Sequence, residues 1–169
     1  TFRSYLDKLV ALVKWLLAHD YDVRLLIGDL CDEPVVAEFK DSLRNRLPEY
    51  DERRILHDEV TSVDQLLDQI AETELVVVTR FHNVLLALIS EKPVVAISFH
   101  HKVASLMDSA GLGRYYLDIN DFEAGDLISK VIEVEMNSEK LISQIKECTT
   151  ACRAALDDQY ELILKEVCI

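Results

Sequence analysis

Two short basic turns carry the side chains best suited to chemistry. In "ELVVVTRFHNVLLALISEKPVVAISFHHKV", Glu74 to Val103, Arg80 and His82 stand where a buried strand ends and a helix begins, and Ser98, His100, His101 and Lys102 follow the next strand. Unpaired charges are costly inside a core, so both clusters belong at its rim or in a site. An arginine grips a phosphate or carboxylate through two N–H donors at once, and a histidine donates, accepts or transfers a proton near neutral pH. The start of a helix adds unpaired N–H groups that favour an anion. A purely structural reading stands beside this one. In it Arg80 pairs with an acid such as Glu74 or Asp118, His82 caps its own helix, Lys102 is a solvated first-turn lysine, and one of the two adjacent histidines is surface decoration.

Other constellations are weaker. "LIGDLCDE" holds a single glycine, and nothing matches GxGxxG or a P-loop, which disfavours the usual dinucleotide or nucleoside triphosphate sites. No GxSxG elbow supports a Ser-His-Asp hydrolase. His19 with Asp20, and His57 with Asp58 and Glu59, read as turn chemistry with no assigned role. Cys148 and Cys152 stand one helical turn apart, but no second CxxC or nearby histidine completes a metal site, so no metal is expected. Together with Cys31 and Cys168 they read as buried or half-buried thiols, too scattered for a disulfide framework.

The elements that must position the two turns follow from hydrophobic periodicity. Apolar residues at Leu6, Leu9, Val10, Val13, Leu16 and Leu17 predict an amphipathic helix over 2–18. Strands are expected at 23–27, 54–57, 75–79, 93–98 and 114–119. Helices are expected at about 33–47, from Thr61 or Ser62, over 83–91 and 102–111, from Asn120 or Asp121, and from Ser138 onward. "LVVVT" and "PVVAIS" are continuous apolar runs, the mark of strands covered on both faces in a parallel sheet. Strands alternating with helices predict right-handed βαβ units, hence an α/β, Rossmann-like parallel sheet with helices on both faces, whose ligands bind outside the carboxyl ends of the strands.

The 169 residues, half of them hydrophobic, suit one domain over 1–169. A net charge of −13 argues against nucleic acid or an anionic membrane as partner, so any bound anion is small and locally recognised. Without an apolar run of membrane-spanning length or a leader pattern, the chain is expected to be cytoplasmic. An oligomer is compatible with the sequence.

The stretch "LVVVTRFHNVLLALISEKPVVAISFHHKVASLMDSAGL" resembles the polysaccharide pyruvyl transferase family, whose members carry an apolar strand running into R-(L/F)-H, a P-V-(V/I)-A-(L/I)-S strand and a K-V-x-x-L-M helix. With "YLDKLVALVKWLLAHDYDVRLL" upstream, the likeness spans Tyr5 to Asp118. It implies the C-terminal, donor-side half of a GT-B-like, two-domain enzyme, which transfers a pyruvyl group from phosphoenolpyruvate to a sugar hydroxyl as a ketal. No cofactor is implied beyond that donor substrate. By position, Arg80 would hold the donor's phosphate or carboxylate and His82 would be the catalytic acid that protonates the methylene carbon. Phe81, Ser98, His100 and Lys102 complete the expected donor-binding set. Family members begin this domain with a further strand near the middle of the sheet, whereas this chain starts at the following helix. The expectation is therefore a fragment, inactive alone, lacking that strand and the N-terminal domain through which a sugar or glycan acceptor is bound. Two alternatives are the nucleotide-sugar half of a GT-B glycosyltransferase or epimerase, and a non-catalytic binding module docking through its long C-terminal helix.

Overall fold

The computed structural model describes residues 2–167. In chain order the elements are α1 (Phe2–Ala18), β1 (Val23–Arg24), α2 (Glu33–Arg46), β2 (Ile55–Leu56), α3 (Val63–Ala71), β3 (Val76–Val78), α4 (Phe81–Ile89), β4 (Val94–Ser98), α5 (His101–Ser109), β5 (Tyr116–Asp118), α6 (Ala124–Met136) and α7 (Ser138–Val167), with short 3-10 turns before α2, β2 and β5. The fold is α/β with parallel pairing throughout, but the strands form two sheets. β1 pairs with β2, and β3, β4 and β5 form a separate three-stranded sheet with β4 in the middle.

β4 is the most enclosed element. All five of its residues are buried, because strands cover both its edges and α4, α5 and α6 pack on it. Helix–helix contacts form one continuous set: α1 lies against α2 and α6, α6 against α7, and α4 against α3, α5 and α7. One core cluster surrounds β3, β4 and β5, with Val84, Met107, Leu127 and Ile145 among its fully buried members. A second is built from Leu6, Val10 and Val13 of α1 with Phe39 and Leu43 of α2. α1 serves both, since Leu12 belongs to the first and Tyr5 and Leu9 pack against each. That two-sided demand explains why its apolar face is wide.

The connections are held by local polar bonds. Arg54 donates to the carbonyls of Leu17 at 3.1 Å and Tyr21 at 2.8 Å, fixing the α1–β1 turn where Asp20 adopts φ 64°. His19 ends the same helix, with Nδ1 2.8 Å from the Trp15 carbonyl and its ring stacked on Trp15. Lys92 donates to the carbonyls of Ala71 and Thr73, both at 2.7 Å, closing the end of α3.

Several expected boundaries move. β1 and β2 are two residues each and pair only with each other. α4 starts at Phe81 and α5 at His101, earlier than their apolar runs suggest. α6 starts at Ala124 rather than at Asn120 or Asp121. The Asp118 carboxylate accepts from the Asn120 amide at 2.8 Å and makes a turn first, and Glu123 with Asp126 then forms a capping box. Cys148 is half-buried as expected, whereas two cysteines need correction: Cys31 is exposed in the loop after β1, and Cys152 is exposed because the apolar stripe of α7 outruns the domain. Leu141 and Ile145 are buried, whereas Leu156, Tyr160 and Ile163 lie in solvent. Cys168 lies outside the described residues. No described helix is long and apolar enough to cross a membrane.

Ile97→Ala should cost about 2–5 kcal/mol in urea unfolding, as a fully buried large-to-small change. Leu156→Ala should cost under about 0.5 kcal/mol. An equal loss at both positions would contradict this burial pattern.

Burial pushes the Tyr5 hydroxyl from the usual 10.0 up to about 12. The folded protein therefore keeps a proton that the unfolded chain releases first. The stabilisation is complete below pH 10 and is lost as pH rises toward about 12. Tyr5→Phe should flatten this alkaline loss of melting temperature.

Candidate functional site

Every βα turn of a parallel sheet delivers its helix start to the same rim, and the structure gathers the expected residues there. Arg80 is the N-cap residue of α4, with Phe81 and His82 in the first turn. His100 is the N-cap residue of α5, with His101 and Lys102 in its first turn, and α4 and α5 pack side by side. His82, His100, His101 and Lys102 are all exposed. His82 stands edge-on to Phe81, which packs against the core, and His100 lies over the exposed Phe99 ring at 4.1 Å.

Ser98 is different. It is 3% exposed, its hydroxyl accepts from the His100 amide at 3.2 Å, and its carbonyl accepts from the Ile119 amide and the Tyr116 hydroxyl. Its observed contacts shape the turn from below.

The acid partner of Arg80 is neither Glu74 nor Asp118. The guanidinium donates to Asp32 at 2.6 Å and lies 3.9 Å from Asp29. Both carboxylates come from the loop after β1, which also meets α4 directly. A Cβ on Gly28 would fall 2.2 Å from Oδ1 of Asn83, so only glycine allows this approach without displacing that side chain. Asp32 raises the pKa of Arg80 further, while bonds from Cys31 hold Asp29 below the usual carboxylate range. The pair is half-exposed at Arg80, so it orients the guanidinium more than it stabilises the fold. Asp29 and Asp32 had no sequence signal beyond the polar loop "GDLCDE", because their role depends on Arg80, 48 residues beyond Asp32.

Capping chemistry separates these turns from the others. Ser62 accepts from the Gln65 amide at the start of α3, and α6 has its capping box. α4 and α5 have no side-chain cap, and Asp32, at the N-cap of α2, spends its carboxylate on Arg80 instead. Among the described residues, the amides of Phe81, His82, Asn83, His101 and Lys102 have no acceptor. Two uncapped helix starts with an arginine and three histidines make an open rim suited to a small anion.

Among the described residues no group of three or more His, Cys, Asp or Glu side chains is placed to hold a metal. A concavity of about 520 Å³ lies elsewhere, where the ends of α1 and α2 meet, lined in part by Lys14, Arg46, Tyr50 and Arg54. It lies among the carboxyl ends of helices, where the dipole does not favour an anion, so the rim remains the better candidate.

With this geometry established, comparison with known proteins gives a family. The chain matches the model of the Polysaccharide pyruvyl transferase family over residues 1–101 of its 169, and it belongs to that family. The matched stretch includes Arg80, His82, Ser98 and His100, whereas Lys102 lies just beyond it. No curated protein and no solved structure matches the chain.

The Cys31 amide donates to Asp29 at 3.0 Å, and that carboxylate pushes the exposed Cys31 thiol upward in pKa. Alkylation of Cys31 at pH 8 should therefore be slow for an exposed thiol, and Asp29→Asn should accelerate it. An unchanged rate would mean that the loop does not hold Asp29 against Cys31.

Proposed function

We propose that the rim formed by the starts of α4 and α5 is the donor-binding part of a transferase that moves a pyruvyl group from phosphoenolpyruvate to a sugar hydroxyl as a ketal. The observation that carries the proposal is the coincidence of family membership with an uncapped α4 start bearing Arg80 and His82. In this reading Arg80 faces the donor's phosphate or carboxylate with N–H groups that Asp32 leaves available, and the amides of Phe81 to Asn83 supply further donors. Phe81 fixes the turn against the core, and Ser98 shapes the neighbouring turn that presents His100 and Lys102.

His82 is the acid. Its imidazolium gives a proton to the methylene carbon, the double bond supplies the electron pair, and the adjacent carbon becomes electrophilic. A sugar hydroxyl adds there and loses its proton. Phosphate departs with the C–O bonding pair, and a second hydroxyl of the acceptor closes the ketal. The acceptor is held by a separate domain of the parent protein, and the chain described is the C-terminal half. Its open rim is one wall of a cleft that the other half completes, so this half binds the donor without turning it over.

Amide resonances should be followed while phosphoenolpyruvate, uridine diphosphate or inorganic phosphate is added. Phosphoenolpyruvate should shift residues 78–83 and 98–102, and Arg80→Ala should weaken its binding by at least about tenfold, the loss of a charge-assisted contact. His82→Ala should retain most of the binding. Shifts indifferent to Arg80→Ala, or a clear preference for uridine diphosphate, would defeat the pyruvyl-donor reading.

A further inference from the structure

His57 is a largely covered titratable side chain that the anion rim does not use. It follows β2 directly, at the carboxyl end of that strand, and its side chain is 12% exposed. Its Nδ1 stands 3.0 Å from Nζ of Lys40 on α2. A lysine ammonium donates and cannot accept, so Nδ1 is the acceptor and the ring is neutral with its proton on Nε2. That Nε2 is shut off from solvent and has no hydrogen-bond partner among the described residues. The carboxylate that faces it, Oε1 of Glu33, is 3.8 Å away, too far for a hydrogen bond. A buried N–H left in this way is costly, and Glu33 is the group placed to relieve it.

A second proton on the ring changes both contacts. It puts an N–H on Nδ1, so donor would face donor and cation would face cation at Lys40. Lys40 is half-buried on a flexible stem, which lets its ammonium swing out to water. At Nε2 the added charge attracts Glu33, and a movement of under about 1 Å brings the two to charge-assisted hydrogen-bond distance. The other charged groups around the ring are engaged or exposed. Beside β2, Arg24 of β1 is held by Asp58 and Glu72, and Asp29 lies with the Cys31 amide and Arg80. After β2, Asp58 is spent on Arg24 and Glu59 is exposed. Lys40 and Glu33, both from α2, are the charges that respond.

Glu33 is the first residue of α2, and Asp32 before it is the N-cap residue whose carboxylate orients Arg80 at 2.6 Å. Pro34 follows and fixes its own φ, which stiffens this turn. Asp32 makes no side-chain cap bond to its own helix, so its carboxylate has no second anchor there. A displacement of Glu33 is therefore passed to the Asp32–Arg80 pair.

We propose that His57 is a proton-operated switch that sets the orientation of Arg80. Neutral, it accepts from Lys40. Protonated, it releases Lys40 and draws in Glu33, and the first turn of α2 carries that movement to the Arg80 guanidinium. The inference does not depend on the pyruvyl-donor reading, because no ligand enters it.

The test follows the ring nitrogens of His57 and the Arg80 Nε–H resonance of labelled protein from about pH 8 to about pH 5, the range in which histidines ordinarily titrate. All samples carry His82→Gln, which removes the other titrating ring beside Arg80, and the β4 amides serve as the reference for a folded domain. At the alkaline end His57 should hold its proton on Nε2 alone. Lys40→Met should make the ring easier to protonate and Glu33→Gln harder, each moving the midpoint by about half a pH unit or more. The Arg80 resonance should move in step with His57 and lose most of that movement in Glu33→Gln and in His57→Gln. Glu33→Gln, at a partly exposed site, keeps the test open should His57→Gln unfold. Either of two results would overturn the proposal. One is a proton on Nδ1 at the alkaline end, or a midpoint indifferent to both Lys40→Met and Glu33→Gln. The other is an Arg80 resonance that keeps its full movement in Glu33→Gln or shows none before that change.

Discussion

The structure depends on the burial of β4. Five consecutive residues without access to water must find hydrogen-bond partners for their backbone groups inside the protein, and β3 and β5 supply them on either edge. Parallel pairing is what makes the rest follow. The chain must return to the same end of the sheet after each strand, so helices are compulsory between strands, and their starts collect on one rim. The apolar side chains of β4 then meet helices above and below, and the core that results leaves chemistry to the strand ends.

On that rim the chain uses backbone and charge together. α3 and α6, which begin at the flanks, have their first amides satisfied by Ser62 and by Glu123 with Asp126. α4 and α5 follow β3 and β4 and leave theirs open. Arg80 is held beside these open amides by Asp32 and Asp29, which keep the guanidinium oriented at an exposed site where the pair itself adds little stability. In a chain of net charge −13, such a patch offers directed donors rather than a broad positive field.

α1 occupies an unusual position. It contributes Leu12 to the core around the three-stranded sheet and Leu6, Val10 and Val13 to the core with α2, so it is the packing link between two sheets that share no ladder. Ion pairs at Arg24 and Arg80 add ties at the two ends of β1 and β3. The first joins an exposed acid to a largely covered arginine and the second a half-exposed arginine to a partly covered acid, a modest adhesive beside the apolar contacts of α1.

The sequence by itself determined the α/β alternation, the two-face burial of "PVVAIS", and the placement of Arg80, His82 and His100 at strand ends. Each of these is written in hydrophobic periodicity and in short-range order, which one chain segment carries alone. The R-x-H turn together with the following P-V-V-A-x-S strand also sufficed to indicate the family later matched over residues 1–101. Tertiary structure decided what depends on distant partners. It set Asp32 rather than Glu74 or Asp118 against Arg80, required Gly28 to make room for Asn83, turned Ser98 inward, and left the second half of the α7 stripe in solvent. It also divided the strands into two sheets, because a strand's periodicity specifies which faces it buries, whereas the neighbour on each edge is chosen by backbone hydrogen bonds that any sequence can make.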